Sequence, residues 1–447
     1  MASRLTHGAR AIVCAALLLG AAPARGEDAA RVLTLQEALQ IAIAAHPDLK
    51  VAWAELAVAR ADSAFAATRA FNPTLELKSI RGGASLASGA ENSFEAGVSQ
   101  EFEPPDQRAA RAAVASAHVQ TLTAQWRAQR QELESLVRAS FARALFLQER
   151  LTLVDTLAGL DRVVVQVTRA RVREGSITPV TGRLTELDLL RLEAQELRVR
   201  SDLRQARAAL GAALAQPLPA AWVLQGDVRV DSLAAPVDSV VARALRTRES
   251  RNVFSRRVAE RRAELRQEQA SARPGFTLGL GLTREQRSIA HDDFAGASAI
   301  VSGIAGARSV DHLWTASISA PLPLWQKNQA GRARAAAAIG RSEAEYERDA
   351  LQTRLQILAA AQRFADATAL YRLYLERSQR VRADLVLVRE AYADGRIALD
   401  SYLTQKGRLV DTVLGELEAG EAYWDARAQL EAAAGQDLAR VNSGGER

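Results

Sequence analysis

Apolar residues recur along this chain in two regimes, one of period near 3.6 and one of period 2, and the chain passes through both regimes twice. The first helical run opens at LTLQEALQIAIAAH, where Leu35, Leu39, Ala42 and Ile43 return at helical intervals. Thr34 stands before it with Glu37 three residues on, the spacing of a capping box, so a helix is expected to start there. A counterpart starts near Val237 and Asp238 and runs through an arginine-rich stretch to Ala272. The longest runs lie downstream. No proline falls between Pro105 and Pro179 or after Pro323; Gly159 is the only glycine from Asp106 to Arg173, and Arg341 to Asp394 has none. At 1.5 Å per residue, a helix of about 68 residues is ~100 Å long, more than the core of a single globular domain requires. Leu133, Leu136, Val137, Phe141, Leu145 and Leu151 give it a coiled-coil-like spacing, diluted by alanine, which lets helices approach closely. Shorter helices over about Val180 to Leu214 and Leu399 to Ala434 can fold back on the long ones as αα-hairpins.

Four segments switch to period 2. TLELKSI sets Leu75 and Leu77 against Glu76 and Lys78, and SFEAGVSQEF sets Phe94, Ala96 and Val98 against Glu95, Gly97 and Ser99. FTLGLGLT sets Phe276, Leu278, Leu280 and Leu282 against threonine and glycine, and WTASISAPL sets Trp314, Ala316 and Ile318 against Thr315, Ser317 and Ser319. An ordinary sheet with one buried face shows this alternation, and so does a membrane strand of about 9–11 residues. Two features favour lipid. Phe71, Phe102, Phe276 and Trp325 flank the strands at the ends nearest the helices, as an aromatic girdle does, and the segments Arg81 to Asn92 and Arg284 to His312 have the composition of external loops. The second of these is the longer. Four strands cannot close a barrel, and an open edge in lipid leaves backbone groups unpaired, so strands must be pooled with other copies of the chain.

The two passes are copies of one plan. REGSIT around Gly175 matches ADGRIA around Gly395, 220 residues on (395−175), and the same spacing relates Val98 to Ile318 and Phe102 to Leu322. FNPTLEL matches RPGFTLGL with prolines 201 apart (274−73), so the second copy carries an insertion between its strands. The first copy is expected over residues 33–215, with a β-hairpin at 73–102 and an interhelical turn at 173–180. The second is expected over 236–438, with a hairpin at 274–323 and a turn at 393–399, and 439–447 as a flexible tail.

Composition narrows the picture. The 447 residues are 48% hydrophobic but 5% aromatic, which suits closely packed alanine-rich helices. Net charge is +6, yet the arginines are interleaved with glutamates, as in RRVAERRAELR, so they read as solvated helix faces and nucleic-acid binding is not expected. Arg4 and Arg10, the apolar run Ala11 to Ala22 and the site Ala22-Pro23-Ala24 read as a signal peptide over residues 1–24. The single cysteine, Cys14, lies inside that apolar run, so no disulfide or thiolate site is expected in the mature chain.

Catalytic patterns are absent: there is no HExxH, no phosphate-loop GK[ST] and no GxSxG elbow. His291, Asp292 and Asp293 with His312 form the one candidate metal cluster, and a solvated loop outweighs a ligand set there. Neither enzymatic activity nor a cofactor is expected.

The order of elements, the repeat, the entry motif LTLQEALQIAIAAHPDLKVAWAE, the FNPTLEL strand and the REGSIT and ADGRIA turns resemble the TolC-like outer-membrane efflux proteins, from Leu33 to about Leu438. PLPLWQKNQAGRARAAAA (Pro321 to Ala338) is similar to the cobalt–zinc–cadmium branch, which resembles CzcC. The resemblance implies a mainly α fold with a membrane β-barrel contribution: a homotrimer with a twelve-stranded barrel in the outer membrane and a helical tunnel crossing the periplasm. It implies a periplasmic adaptor and an inner-membrane RND-type pump as partners, and export of metal cations or small toxic compounds. Adaptor docking would fall on Gly175, Ser176, Ile177 and Thr178 with Gly395, Arg396, Ile397 and Ala398, where a plain helix connection is the alternative. Family members narrow the tunnel with paired acidic residues beyond the second turn; here Asp400 stands with Ser401 and Thr404, and Glu186 and Asp188 could contribute from the first copy. A type I protein-secretion channel and a non-porous periplasmic coiled-coil scaffold are the rival readings.

Overall fold

The computed structural model describes residues 31–81, 92–219, 221–226, 231–288 and 308–437. The expected leader, the tail 439–447 and most of both strand-connecting segments lie outside the described residues.

Each copy opens on a broken helix rather than one continuous helix. In the first copy α1 (Leu35–Ala45) begins on the capping box: the Glu37 N–H donates to Thr34 Oγ1 at 3.3 Å and the Thr34 N–H to Glu37 Oε2 at 3.0 Å. It stops at His46, held extended at ψ 125, because Pro47 excludes the helical conformation from the residue before it; α2 (Pro47–Ala66) follows. In the second copy α5 (Val237–Thr247) and α6 (Glu249–Ala270) are separated at Arg248, likewise extended at ψ 124, with no proline to announce the break.

The long helices are α3 (Pro105–Arg173, 69 residues) and α7 (Gln329–Ala393, 65 residues), each folded back through a short turn onto α4 (Pro179–Ala213) and α8 (Leu399–Ala434). Leu133, Val137, Phe141 and Leu145, spaced by four, are buried against α1, the end of α4 and a strand that the sequence did not announce. That strand, β4 (Val223–Gln225), pairs in parallel with β1 (Val32–Thr34) and places Leu33 and Leu224 in the core. Leu136 departs from the expected seam: it lies off the i, i+4 row and is 54% exposed. A second core gathers Val240 of α5, Ile357 and Phe364 of α7, and Tyr423 and Leu430 of α8.

The strands β2 (Thr74–Arg81), β3 (Asn92–Phe102), β5 (Phe276–Ser288) and β6 (Arg308–Ser319) form one antiparallel sheet in the order β2-β3-β5-β6. The central pairing, β3 with β5, joins the two copies. The segment Arg284 to His312, read as loop, is partly strand: β5 continues to Ser288 and β6 starts at Arg308. Apolar alternation ends near Leu282 while the hairpin does not, since backbone pairing needs no apolar face to continue.

Candidate functional site

Register puts the apolar strand positions in rows on one face. Leu75, Val98, Leu280 and Ala316 lie side by side, as do Leu77, Ala96, Leu282 and Trp314, while Leu278 sits between Gln100 and Ile318 and Phe276 opposite Phe102. Ser79, Phe94, Arg284 and His312 make the row where the apolar band ends. The other face carries Gly97, Gly281 and Thr315, then Ser99, Gly279 and Ser317, with Lys78 and Glu95 paired at 3.7 Å. A sheet belonging to a water-soluble core would have the first face covered. Here nothing among the described residues covers it: Trp314 is 82% exposed, Ile318 73% and Leu280 70%. Phe102 and Phe276 stack at 5.3 Å at the helix end of the band, near the exposed Phe71 and Trp325. No described helix is long and apolar enough to cross a membrane.

The opposite end of the molecule is the pair of interhelical turns. Arg173 ends α3 and Ala393 ends α7; Gly175 (φ 73°) and Gly395 (φ 74°) then take the left-handed conformation that glycine adopts without a Cβ clash. Both turns close the same way. The Ser176 N–H donates to the Arg171 carbonyl at 2.9 Å and the Gly175 N–H to that of Val172 at 3.1 Å; Arg396 and Gly395 repeat this on Ala391 and Tyr392 at 2.8 and 3.0 Å. Around them Ser176, Thr178, Arg396 and Ala398 are exposed, while Ile177 and Ile397 are half-buried.

Arg171 breaks the symmetry of the tip. Its Nη2 donates to the carbonyls of Tyr392 and Ala393 at 3.2 and 2.9 Å, and its guanidinium lies 4.9 Å from the Tyr392 ring centre. One copy thereby adds a side-chain donor to the carbonyls ending the other copy's long helix. Arg171→Ala is expected to raise amide exchange in the last turn of α7 by roughly five- to tenfold, about 1 kcal/mol of lost hydrogen bonding. Unchanged exchange there would show the contact to be idle.

Above the tip lies a polar cluster that the sequence did not single out. Lys406 Nζ on α8 reaches Asp161 Oδ2 on α3 at 2.7 Å and Asp188 Oδ2 on α4 at 3.0 Å. Lys406 and Asp161 are buried, and burial pushes the Asp161 carboxyl above its usual range against the pull of Lys406. The rings of Tyr402 and Tyr392 stack at 4.9 Å, Tyr392 shares a 3.0 Å hydrogen bond with Thr168, and burial pushes the Tyr402 phenol up. One signal was available: Lys406 is one of four lysines in a chain whose other cations are arginines. Of the acidic residues considered for a tunnel constriction, Asp188 is thus engaged with Lys406, and Glu186 accepts from Arg169 at 2.8 Å. Asp400 stands exposed in the first turn of α8.

For metals, His291, Asp292 and Asp293 lie outside the described residues, and His312 sits in register with Arg284, a poor neighbour for a cation. Among the described residues no three His, Cys, Asp or Glu side chains come together to hold a metal ion.

Comparison with known proteins agrees with this architecture. Residues 38–216, nearly the whole first copy, match the model of the family described as outer membrane efflux protein. No curated protein sequence matches the chain. In fold it is similar to CusC, whose crystal structures concern folding and transmembrane channel formation, at TM-score 0.67 and 16% identity, covering 90% of this chain and 92% of that one. It is similar also to the Campylobacter jejuni CmeC outer membrane channel (TM-score 0.67, 12% identity, 92% and 89% covered). The open state of the Neisseria gonorrhoeae MtrE outer membrane channel gives TM-score 0.65 at 17% identity, with 90% and 89% covered. The first copy thus carries the match to the outer membrane efflux protein family, and the whole chain has the TolC-like fold of these outer-membrane channel structures.

Proposed function

We propose that this chain is the outer-membrane duct of a tripartite efflux system, a passive exit for metal cations or small toxic compounds. The observation that carries the reading is the uncovered apolar face of the four-stranded sheet, set at one end of helices of 69 and 65 residues. A helix of that length is ~100 Å long, a span suited to the gap between two membranes. Three copies would pool their strands into a closed barrel, because the edges β2 and β6 cannot stay unpaired in lipid. The glycine and hydroxyl residues of the second sheet face would then line the pore. The turns at Gly175 and Gly395 would meet a periplasmic adaptor coupled to an inner-membrane RND-type pump. Asp400, whose carboxylate is exposed, is our choice for the acidic constriction. The Pro321 to Ala338 motif supports the cobalt–zinc–cadmium branch, and hence metal cargo. A periplasmic scaffold without a pore leaves the apolar sheet face unexplained.

In detergent the protein is expected to have the mass of three chains and to conduct ions in planar bilayers. Deletion should sensitise cells to metal cations or small toxic compounds. A monomer that conducts nothing would overturn the duct, and loss of a single secreted protein with unchanged sensitivity would redirect it to protein export.

A further inference from the structure

Where α2 packs along α3, two tryptophans stand together at the surface. Trp53 of α2 and Trp126 of α3 meet edge to face with ring centres 5.7 Å apart. The Arg60 guanidinium lies 5.1 Å from the Trp53 ring centre, and that of Arg130 lies 6.0 Å from Trp126. Lys50, one turn before Trp53 on α2, is exposed, as are Arg60 and Arg130. The acid beside them, Glu134, is shared by Arg130 at 3.0 Å and Arg138 at 3.6 Å, so the patch keeps a positive balance. Trp53 leaves 50% of its surface in water.

Helix period tells which way this patch faces. Trp126 precedes Leu133 by seven residues (133−126), two turns along one stripe of α3, and Leu133 with Val137 is the surface on which α1 packs. A face filled by α1 cannot be the bore of a duct, so the tryptophans lie on its outer side. Because α3 leaves the sheet at Pro105, Trp126 stands ~30 Å along the helix from the membrane end, well past a lipid headgroup layer of under ~10 Å.

The helical plan itself does not call for the patch. α2 and α6 start 202 residues apart (249−47), and α3 and α7 end 220 apart (393−173). At these offsets Lys50, Trp53, Trp126 and Arg130 correspond to Asn252, Ser255, Tyr346 and Ala350. The counterpart of Arg60, Arg262, is tied to Glu343 at 2.7 Å, and Arg251 covers the Tyr346 ring at 3.9 Å. The same backbone is thus built in the second copy without an open indole or a surplus of cations.

We infer that this face binds the glycan of the cell wall, a chain of sugar rings carrying carboxylate-bearing peptides. The negative face of an indole attracts the C–H edges of a sugar ring, and a guanidinium meets a carboxylate through two parallel N–H donors. Ala57, Ala61 and Ala64 beside Trp53 on α2 are small and exposed, which leaves a narrow aromatic strip bordered by cations instead of the broad apolar centre of a protein interface. The inference rests on the duct reading for placing the helices in the compartment that holds the cell wall, and it adds a point of anchorage there.

Centrifugation of the detergent-solubilised protein with insoluble peptidoglycan sacculi tests it. The native protein is expected in the pellet, and Trp53→Ala with Trp126→Ala should weaken binding roughly tenfold, the loss of two stacking contacts. Arg60→Glu, an exposed change that leaves both indoles in place, should weaken it as well, as should about 0.5 M salt. Ser255→Ala, at the equivalent place in the second copy, should change nothing. Native protein left in the supernatant, or variants that pellet like it with the mass of three chains, would overturn the glycan surface and leave the duct standing. Binding to phosphatidylglycerol vesicles in place of sacculi would overturn it in favour of a lipid surface. Loss of the three-chain mass in the double tryptophan variant would make the patch a contact between copies. Native protein that pellets as a non-conducting monomer would overturn the duct and leave the glycan surface standing.

Discussion

Replacing Lys406 by methionine is expected to destabilise the helical bundle near the tip by about 3–5 kcal/mol, the cost of leaving a buried charge without its partner. Lys406 is the one cation within reach of both Asp161 and Asp188 among the ion pairs described, and methionine keeps its length while removing the charge. The Asp161 carboxyl is already raised by burial, and Lys406 opposes that rise. Without Lys406 it must rise further. A carboxyl raised in the folded state contributes stability that is present below its unfolded pKa and lost as pH rises through its folded value. The variant should therefore be weakest at neutral pH and recover as pH falls, with the same sign as the native protein and larger amplitude. Asp161→Asn combined with Lys406→Met should recover most of the loss at neutral pH, because it removes the buried charge itself. Guanidinium unfolding of the detergent-solubilised protein followed by helical signal measures all three. Equal midpoints for Lys406→Met and the native protein across pH would mean that the ion cluster is solvated and idle.

That cluster marks the limit of what was legible in the sequence. The long helices were legible because proline is missing beyond their first residue and glycine is scarce in them, and a helix needs no tertiary information to persist where nothing interrupts it. The strand faces were legible because period-2 alternation survives any context that has one apolar side, and the rows of Leu75, Val98 and Leu280 bear it out. What escaped depends on contacts between segments far apart in sequence. The break at Arg248 has no local signature, and β1 and β4 are three-residue strands made by two segments about 190 residues apart (223−32). Lys406 meets Asp161 across 245 residues, a pairing that no spacing rule reaches. Strand ends failed for a different reason: the period-2 signal exists only while one face is apolar, and β5 and β6 run on past that stretch.

Bulk placed at the two turn glycines is expected to abolish export while leaving assembly intact. Gly175→Val and Gly395→Val each force a β-branched residue to φ near +73°, at a cost of about 1–3 kcal/mol. No steric clash adds to it: a Cβ at Gly175 meets nothing within 4 Å, and at Gly395 only Arg171 Nη2, at 3.7 Å. The penalty is therefore confined to the turn and is small beside the burial along helices of 69 and 65 residues. What it alters is the shape of the surface between the exposed residues Ser176, Thr178, Arg396 and Ala398, where we place the adaptor contact. Gly159→Val is the control, since it lies within α3 and its added Cβ also meets nothing within 4 Å. The double turn variant should give normal trimer yield, lost cross-linking to the adaptor and lost resistance to the exported compound, with the Gly159 variant normal in all three. Normal resistance in the double variant would falsify adaptor docking and reduce both turns to helix connections. Loss of trimers together with resistance would instead place Gly175 and Gly395 in the folding of the tip, because a strain of that size unfolds only a structure with little stability to spare.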